Sequence, residues 1–363
     1  DLNGTARYVG MGGAMEALGA DISTMSSNPA GIGLFRRSMM SGSFGFNSQS
    51  DAADIGKRKT KASFDHASFV HTMRSGRNSY VNFGVSYTKS RNFNQILTAT
   101  GRLNGASQNK LSSMKNYNDL YRLEKRNGEL TSQWGTNNNP DLPYNQVDYL
   151  YSNALLNDKN SQLVGMSANG YNGGNYLGDA SGVLDASGNL RAAYYNADGY
   201  DFFRGTSGYI GEYNFNISGN SRNRFYWGLT FGLYDVNYSH ASEYTERLVN
   251  NAQNPIGSVT IADERTISGT GFDVKAGVIF RPIEDSPFRV GLYVHTPTWY
   301  DLKTENRTTL VSKLADGCGN GNKSTSGRYD YKFYTPWRFG GSLGYTVGKH
   351  LALGATYEYA DYS

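Results

Sequence analysis

Apolar and polar residues alternate along much of the chain with a period of two, the period at which side chains of a β-strand share a face. Between residues 225 and 234 the odd positions hold Phe225, Trp227 and Leu229, and the even positions hold mainly Gly, Thr and Tyr. The same alternation recurs near 39–47, 62–73, 80–88, 209–218, 272–280, 288–296, 329–347 and 351–360. It predicts about nine antiparallel strands and an all-β fold.

Two of these stretches carry a further signal. Inside 62–73 the apolar parity changes between Phe64 and Phe69, so we expect a β-bulge there. In 329–347 the aromatic residues other than Tyr334 keep one parity from Tyr329 to Tyr345. This stretch is therefore predicted as a single strand, the longest of the set.

The two faces of the strands favour a transmembrane barrel over a soluble sandwich. The apolar parity carries aromatic residues near the strand ends, as expected where a barrel wall meets lipid. The opposite parity is predicted to line the lumen, and it carries charged residues: Asp273, Lys275, Arg281, Arg289, Asp330, Lys332, Arg338 and Glu358.

The connections between the predicted strands alternate between short turns and long loops. The long loops are predicted at about 48–60, 90–206, 237–264 and 300–327. Short periplasmic turns and long outer loops are typical of outer-membrane barrels. Such barrels have an even number of strands in bacterial single chains, so an odd count leads us to expect further strands after Ser363.

Composition excludes several other classes. The 363 residues have a mean hydropathy of −0.57, and no run of about 20 apolar residues is present to cross a membrane as a helix. Aromatic residues make up 13%, too many for a disordered chain. Cys318 is the only cysteine, which excludes a disulfide framework. The net charge of +4 comes from interspersed acidic and basic residues, so no nucleic-acid partner is expected.

Residues 1–38 do not alternate and are predicted to fold separately from the strands. Short helices are expected at Ala14–Leu18 and at 21–26, with breaks at Gly19 and Pro29.

The glycines Gly10, Gly12 and Gly13 suggest a dinucleotide-binding motif, but Met15 stands at the position of its third glycine. No βαβ strand precedes them either. We therefore interpret these glycines as sites where the backbone packs tightly against another part of the protein.

The N-terminal stretch resembles a known family. Gly4-Thr5-Ala6-Arg7 and the run Gly10 to Ala14, followed by Asn28-Pro29-Ala30, are similar to the N-terminal hatch of the FadL/TodX outer-membrane transporters, especially their Bacteroidetes-type members. The stretches 335–345 and 357–363 also resemble this family.

The resemblance implies a hatch at 1–38 inside a β-barrel that begins at residue 39 and extends through 363, with about fourteen strands in the complete protein. Members of the family carry long-chain fatty acids or other hydrophobic compounds inward without an energy source. The resemblance implies that the ligand passes through a lumen pocket and leaves sideways through the wall after the hatch rearranges.

The insertion at about 90–206 holds candidate ligand-binding residues. Leu111 and Met114 belong to one amphipathic stripe at helical spacing, and Leu150 and Tyr151 belong to another. These stripes form either a ligand-collecting groove outside the membrane or the packing of the insertion on itself and the barrel rim. Arg338 could hold a ligand carboxylate with two hydrogen bonds. Its other interpretation is an ion pair within the lumen or an anchor for the hatch.

Catalysis has little support in the sequence. The five histidines show no metal-binding spacing. The stretch 340–344 matches Gly-x-Ser-x-Gly, but it lies inside a predicted strand and lacks the strand-to-helix turn of a nucleophile elbow. We expect no catalytic residue, no metal and no cofactor.

The sequence therefore predicts a bacterial outer-membrane barrel for passive uptake of hydrophobic small molecules. Its expected partners are the fatty-acid-like ligand, membrane lipid and lipopolysaccharide. The alternative is a barrel of the same family that binds a secreted protein through its outer loops, as in type IX secretion.

Overall fold

The computed structural model describes residues 2–52, 54, 58–108, 110–111, 121–126, 129–134, 181–184, 190–250, 252–284, 286–314, 321–348 and 350–362. These residues form antiparallel strands and a few short helical turns. The strands are β1 (Met39–Ser48), β2 (Thr60–Gly76), β3 (Ser79–Asn92), β4 (Gln95–Arg102), β5 (Tyr121–Arg126), β6 (Glu129–Trp134), β7 (Ser181–Leu184), β8 (Leu190–Tyr194), β9 (Asn196–Ser221), β10 (Phe225–Val249), β11 (Pro255–Phe280), β12 (Arg289–His295), β13 (Trp299–Leu314), β14 (Gly321–Tyr334), β15 (Arg338–Val347) and β16 (Leu351–Ala360). None of the helices in these ranges is long and apolar enough to cross a membrane.

Twelve of the strands form one sheet. Its main order is β1-β2-β3-β9-β10-β11-β12-β15-β16, while β13 and β14 extend it beside β11, and β4 extends it beside β9. Two hairpins, β5–β6 and β7–β8, are separate. No ladder joins β1 to β16 within the described ranges. The predicted all-β class is therefore confirmed.

The sheet has more strands than the alternation predicted. Each of the nine predicted stretches is strand, but β4 and β13 are additional, and the stretch 329–347 is divided between β14 and β15. The loops predicted at 237–264 and 300–327 are wrong, because β10, β11, β13 and β14 run through most of them. These strand portions are polar on both faces, as in Lys303-Thr304-Glu305-Asn306, so they lack the apolar period on which the prediction relied.

The predicted bulge in β2 is confirmed. Ser43 pairs with His66 and the next residue, Phe44, pairs with Phe64. Asp65 therefore has no opposite residue and is the extra residue of the bulge.

The main sheet also has a break at one level, where two strands are interrupted side by side. Residues 296–298 separate β12 from β13, and residues 335–337 separate β14 from β15. Pro297 and Pro336 lie in these gaps, where a missing backbone N–H removes no ladder hydrogen bond. Thr298 N donates to Thr335 Oγ1 at 2.8 Å and holds the two segments together. We call these residues the proline break.

The proline break changes which sequence parity faces inward in the two stretches of chain that pass through it. We call the side of the break with β12 and β15 below and the side with β13 and β14 above. Lys275 of β11 pairs with His295 below the break, and Phe272 pairs with Trp299 above it. Between these two pairs β11 uses one residue fewer than its neighbour. Because successive side chains alternate, the extra residue exchanges the two parities. Tyr329, Tyr331 and Phe333 thus share the inner face with Tyr300, whereas Lys332 and Asp330 lie on the outer face. The prediction of one strand over 329–347 with Lys332 and Asp330 in the lumen is wrong for this reason.

The inner face of the sheet is the one that contacts the N-terminal segment (residues 2–38). This segment contains α1 (Ala6–Gly10) and two 3-10 helices, Ile22–Met25 and Pro29–Leu34. The helix predicted at 21–26 is confirmed, but the one predicted at Ala14–Leu18 is wrong, and α1 precedes it. Thr5 determines where α1 begins, because its hydroxyl accepts a hydrogen bond from Tyr8 N.

Candidate functional site

The N-terminal segment is buried along the inner face and reaches both ends of the sheet. Ser43 on β1 donates to the Gly4 carbonyl at 2.8 Å, and Thr356 on β16 donates to the Glu16 carboxylate at 2.6 Å. Between them, Asn82 on β3 donates to the Ile32 carbonyl, and Arg289 on β12 donates to the Leu18 carbonyl. Polar side chains of the inner face thus hold the segment mainly through its backbone.

Asn28-Pro29-Ala30 is fully buried within this contact. Asn28 has no exposed surface, and its amide donates to the Glu16 carbonyl at 3.0 Å and accepts from Ala30 N at 3.1 Å. The triplet therefore caps the second 3-10 helix and ties it to the chain near Glu16.

Two glycines of the wall make room for this triplet. A Cβ at Gly277 of β11 would overlap Asn28 Oδ1, and a Cβ at Gly228 of β10 would overlap the Pro29 carbonyl. Glycine on the inner parity therefore lets the backbone of the N-terminal segment approach the wall closely.

Of the three glycines predicted to pack tightly, Gly10, Gly12 and Gly13, only Gly13 does so. A Cβ at Gly10 or Gly12 would meet nothing within 4 Å, so tight packing is wrong for these two positions. Gly12 and Gly13 have φ values of 62° and 81°. These left-handed conformations allow the chain to turn after α1, and only Gly13 also lies close to another side chain, that of Leu2.

Asp21 joins the two halves of the N-terminal segment. Its carboxylate accepts hydrogen bonds from Ser23 N at 3.0 Å, from Thr5 Oγ1 at 2.8 Å and from Arg7 Nε at 2.9 Å. Burial would raise the pKa of Asp21, but these hydrogen bonds and the Arg7 charge together hold that pKa below its usual value. Asp21 is therefore an ionised anchor for the residues before α1.

The sequence-predicted ligand residues lie apart from one another. Arg338 points to the inner face, and its guanidinium lies 3.7 Å from the Glu358 carboxylate. Leu111 is 45% exposed at the start of the insertion. Met114, Leu150 and Tyr151 lie outside the described residues. The groove predicted from the amphipathic stripes therefore remains a prediction, as does the carboxylate-binding role of Arg338.

A buried ionic cluster lies on the inner face of β9, β10 and β11, closer to the proline break than the residues that contact the N-terminal segment. Lys275 Nζ lies 2.9 Å from Glu212 Oε1, 2.8 Å from Asp273 Oδ1 and 3.0 Å from the Tyr234 hydroxyl. The Tyr234 hydroxyl also donates to Asp273 Oδ2 at 2.7 Å. Lys275 and Asp273 are 1% and 0% exposed. We call Lys275, Glu212, Asp273 and Tyr234 the buried ionic cluster.

An aromatic row continues from this cluster across the inner face. The ring centroids of Tyr234 and Tyr300 are 5.6 Å apart, and those of Tyr300 and Phe333 are 6.3 Å apart. Both separations lie in the range of favourable aromatic contacts.

A cavity of about 600 Å³ opens at the aromatic row. Its lining combines inner-face residues with residues of the outer face, and we call it the wall cavity. Seven of its ten lining residues, among them Phe272, Trp299 and Tyr334, belong to the outer face, and Tyr234, Gly271 and Tyr300 belong to the inner face.

Sequence reasoning missed the cluster and the cavity for two reasons. Asp273 and Lys275 were correctly assigned to one face, but Glu212 comes from another strand, and its position depends on the register between strands. Tyr300 stood in a predicted loop, and Phe333 was assigned to the wrong face. The signal that could have found them was the pair of prolines, Pro297 and Pro336, each within an otherwise strand-like stretch.

The fold and site define a class of protein: a large antiparallel sheet with an apolar outer face that encloses an N-terminal segment on its polar inner face. Two solved structures are similar to it. The P. putida toluene transporter TodX is 12% identical, with a TM-score of 0.44 over 100% of this chain and 71% of that chain. The Ralstonia pickettii toluene transporter TbuX is 10% identical, with a TM-score of 0.20 over 99% of this chain and 94% of that chain.

No protein-family model matches the sequence. No curated protein matches it either.

Proposed function

We propose that this protein lies in a bacterial outer membrane and carries hydrophobic small molecules across it, with residues 1–38 as a hatch. The observation that carries the proposal is the division of the sheet into a lipid-like outer face and an inner face that holds the N-terminal segment. The apolar outer face and the inner face that holds the segment are two independent observations. Together they favour a gated passage.

The outer face supports the membrane location. On β10 the outward residues from Phe225 to Leu233 are all large and apolar, and each is between 37% and 46% exposed. Facing them on β11 are apolar residues from Phe272 to Phe280. A band of about ten residues per strand matches the hydrocarbon thickness that a tilted strand crosses. Exposure of such a band to water would be unfavourable, since large apolar patches mark interaction surfaces or membranes.

The charged residues above this band mark its upper limit. Asp235 follows Leu233 on the outer face of β10, and Asp301 follows Trp299 on β13. Trp299 and the neighbouring Tyr334 lie at this limit, where aromatic residues favour the membrane interface.

The inner face supports a closed resting state. The N-terminal segment is held by hydrogen bonds to many strands, and its central triplet is buried. A wide, wet porin would not need such a segment. The contacts are made one by one along the segment, so a local rearrangement could open a path without unfolding the sheet.

The proposal is for a transporter and not an enzyme. Ser342, the candidate nucleophile of the Gly-x-Ser-x-Gly match, lies within β15 and donates a hydrogen bond to the Gly291 carbonyl at 3.4 Å. A serine in a regular strand lacks the exposed, strained turn that activates such a nucleophile.

The alternative of protein binding draws on one observation. β10 and β11 continue well beyond the apolar band, to Val249 and from Pro255, and form a tall polar sheet with β9, β13 and β14. Such a sheet offers a surface for a secreted protein. Binding of a secreted protein needs no passage that the hatch controls, so transport measurements separate the two functions.

The test is uptake of a hydrophobic fluorophore by liposomes that contain the purified protein or its Pro29→Gly variant. Pro29 fixes φ at the start of the buried 3-10 helix, and glycine adds about 0.4–1 kcal/mol of backbone entropy to the released state. We expect uptake to change roughly two- to fivefold while the barrel remains folded.

The matched control is Pro282→Gly, which changes a proline in the turn after β11. Uptake by this variant should equal that of the unmodified protein. Identical uptake with and without Pro29→Gly would exclude the hatch role. Absence of protein-dependent uptake, with retention of a bound polypeptide, would favour the protein-binding function.

A further inference from the structure

The lower end of the sheet, where short turns join neighbouring strands, is strongly basic. These turns lie between β2 and β3, between β9 and β10 and between β11 and β12, and the stretch before β1 reaches the same end, where Ser38 accepts a hydrogen bond from Thr72 N. Seven arginines that lie there are exposed or half-exposed, and we call them the basic rim: Arg36, Arg37, Arg74, Arg77, Arg222, Arg224 and Arg281. Arg289 lies at the same end but donates to the Leu18 carbonyl of the N-terminal segment.

The basic rim has almost no counter-charge. Glu284 is the one acidic residue in the described part of these turns and of the stretch 36–38. Seven arginines minus one glutamate leave an excess of six positive charges, compared with +4 for the whole chain. At the opposite limit of the apolar band, Asp235 and Asp301 lie on the outer face. Positive charge is therefore concentrated at the end of the sheet that carries the short turns.

The basic rim directly borders the apolar outer face. Arg224 precedes Phe225 and Arg281 follows Phe280, and these two phenylalanines pair at the lower limit of the apolar band. The Arg224 guanidinium lies 5.9 Å from the centroid of the Phe280 ring, which is 43% exposed. An arginine buries its aliphatic part beside apolar groups and keeps its charge in a polar layer. With the band in a membrane, the rim lies where acyl chains give way to headgroups.

Most of the hydrogen-bond donors of the basic rim are unused. Within the described part of the chain, four of its side chains form no hydrogen bond or ion pair: Arg36, Arg37, Arg77 and Arg222. Each guanidinium has five N–H donors in a planar fork that matches two oxygens of a phosphate group. The rim therefore offers phosphate-binding geometry at several positions.

Other arginines of the rim are held in place by the turns themselves. Arg281 donates to the carbonyls of Asn223, Glu284 and Ser286 at 3.0–3.3 Å. Arg74 donates to two carbonyls of its own turn at 3.0 and 3.1 Å. These bonds fix the guanidinium planes before a ligand arrives, which lowers the entropy cost of binding.

The distribution of the basic rim favours membrane lipid over a soluble partner. Its arginines follow the edge of the wall through three turns and the stretch before β1, and they do not gather in one patch. A layer of headgroups surrounds the wall at one height, so it meets all of these positions together. Clusters of basic residues beside a membrane attract anionic lipids.

We propose that the basic rim binds the phosphate headgroups of anionic phospholipids in the membrane leaflet next to the short turns. This inference rests on the membrane location within the proposed function, and it does not depend on which compound is transported. The bound headgroups hold the wall at a fixed height in the membrane.

The test measures which lipids lie next to Trp227, whose ring lies over Gly219 near the turn that carries Arg222 and Arg224. The purified full chain is placed in phosphatidylcholine vesicles that contain a minor fraction of brominated phosphatidylglycerol or of brominated phosphatidylcholine. Bromine quenches tryptophan fluorescence, and the ratio of the two quenching extents is the lipid selectivity. We expect about a threefold preference for phosphatidylglycerol. The preference should decrease with added salt, which screens exposed charges.

Arg222→Gln combined with Arg224→Gln removes two charges of the rim close to Trp227. The selectivity should fall to about half or less. Arg222→Gln alone provides the test if the double variant does not fold, because this side chain forms no hydrogen bond with a described residue. An unchanged selectivity in a folded variant of either kind would overturn the proposal.

The matched control is Arg307→Gln combined with Arg328→Gln, on the outer face of β13 and β14 above the break. It changes the net charge by the same amount and should leave the selectivity unchanged. Trp227→Phe localises the signal, since the remaining tryptophans should report a selectivity close to one. Full selectivity in Trp227→Phe would place the lipid site elsewhere and overturn the proposal.

Two further results would also contradict the assignment of the rim to membrane lipid. Equal quenching by the two brominated lipids would show no preference for anionic headgroups and would leave an acidic protein as the partner of the rim. Loss of the preference on addition of glycerol 3-phosphate, at constant ionic strength, would show that the rim binds soluble phosphate esters.

Uptake of the hydrophobic fluorophore separates this inference from the proposed function. Lipid selectivity that depends on Arg222 and Arg224, without uptake, would retain the lipid site and overturn transport. Uptake without lipid selectivity would retain the transporter and overturn the lipid site.

Discussion

The sheet is built differently below and above the proline break. Below it, the inner face carries glycines such as Gly228 and Gly277, and the N-terminal segment packs against their backbone. Above it, the inner face carries a row of aromatic rings, those of Tyr234, Tyr300 and Phe333. The lower half is shaped to hold another part of the same chain, whereas the upper half presents aromatic side chains on the same face.

This difference depends on the one extra residue that β13 and β14 gain at the break. Tyr331 and Tyr345 have the same parity in the sequence, but Tyr331 faces inward above the break and Tyr345 faces outward below it. The same alternation therefore places apolar residues on the outer face in one half and on the inner face in the other. A bulge at a functional boundary can re-aim side chains without any change in composition.

The largest effect is expected where the two halves meet, at Lys275. Lys275→Met would leave Glu212 and Asp273 buried without a counter-ion, so we expect a loss of about 3–5 kcal/mol in the free energy of unfolding. Urea titration in lipid vesicles, followed by tryptophan fluorescence, measures this loss. The control is Lys303→Met on the outer face of β13, which removes a partly exposed ion pair with Glu305.

The control substitution should leave the free energy of unfolding nearly unchanged, because an exposed ion pair contributes little to stability. Addition of Glu212→Gln and Asp273→Asn to Lys275→Met should restore much of the stability, since no unpaired charge remains. Equal losses for Lys275→Met and Lys303→Met would mean that the cluster is not an ionic unit.

A smaller effect is expected in the lower half, where Gly277→Val would place a side chain against Asn28. Overpacking of this kind costs about 1–3 kcal/mol. We expect the N-terminal segment to be displaced and the wall to remain folded. Limited proteolysis after Arg7 and Arg36 should therefore be about tenfold faster or more.

The control for Gly277→Val is Gly341→Val, on the outer face of β15. A Cβ there would meet only Leu292, at 3.8 Å, so proteolysis should keep its original rate. If both valine variants were cleaved equally fast, the close approach at Gly277 would not be what holds the segment.

The lower half was more predictable from sequence than the upper half for a physical reason. Below the break the outer face is apolar and the inner face is polar, so alternation identified β10 up to Leu233 and β11 from Phe272. Above the break both faces carry polar residues, and the strand β13 gave no period to detect. The bulge at Asp65 was predictable because apolar residues lie on both sides of it.

The site was predictable only where one short stretch contains it. Asn28-Pro29-Ala30 is local, so its resemblance to the family motif was visible in the sequence, whereas its burial depends on Gly228 and Gly277 of two strands. The buried ionic cluster joins Glu212 to Asp273 through the register of three strands, which sequence alone does not specify. Gly12 was misinterpreted because a turn that needs positive φ and a close packing contact both favour glycine.

A third prediction sharpens how the N-terminal segment is anchored. The pKa of Asp21 is lower in the folded protein than its unfolded value of about 3.9. Its ionised form therefore stabilises the segment above this pH, and the contribution is lost as the pH falls through the lower folded pKa. Asp21→Asn should cost about 1 kcal/mol at pH 7, the usual size for loss of a capping carboxylate.

Hydrogen exchange of residues 2–38 measures this effect, with variant and unmodified protein compared at each pH. Exchange should be faster in Asp21→Asn at pH 7, and the two proteins should converge as the pH falls below the folded pKa. Asp198→Asn, which alters a half-exposed pair with Arg247, should change nothing. A difference that persists without change at the lowest pH would exclude the charge of Asp21 as its cause.

The smallest effect is expected at Arg338, which lies close to the break but below it. Arg338 and Glu358 are each more than a third exposed in their side chains, at 36% and 37%, so Arg338→Ala should cost about 0.2–1 kcal/mol. If Arg338 only pairs with Glu358, the binding of 2-naphthoate and of its methyl ester should be the same in this variant as in the unmodified protein. A selective loss of acid binding would instead assign Arg338 the carboxylate contact predicted from sequence. It would also place a ligand site in the lower half of the sheet, beside the N-terminal segment.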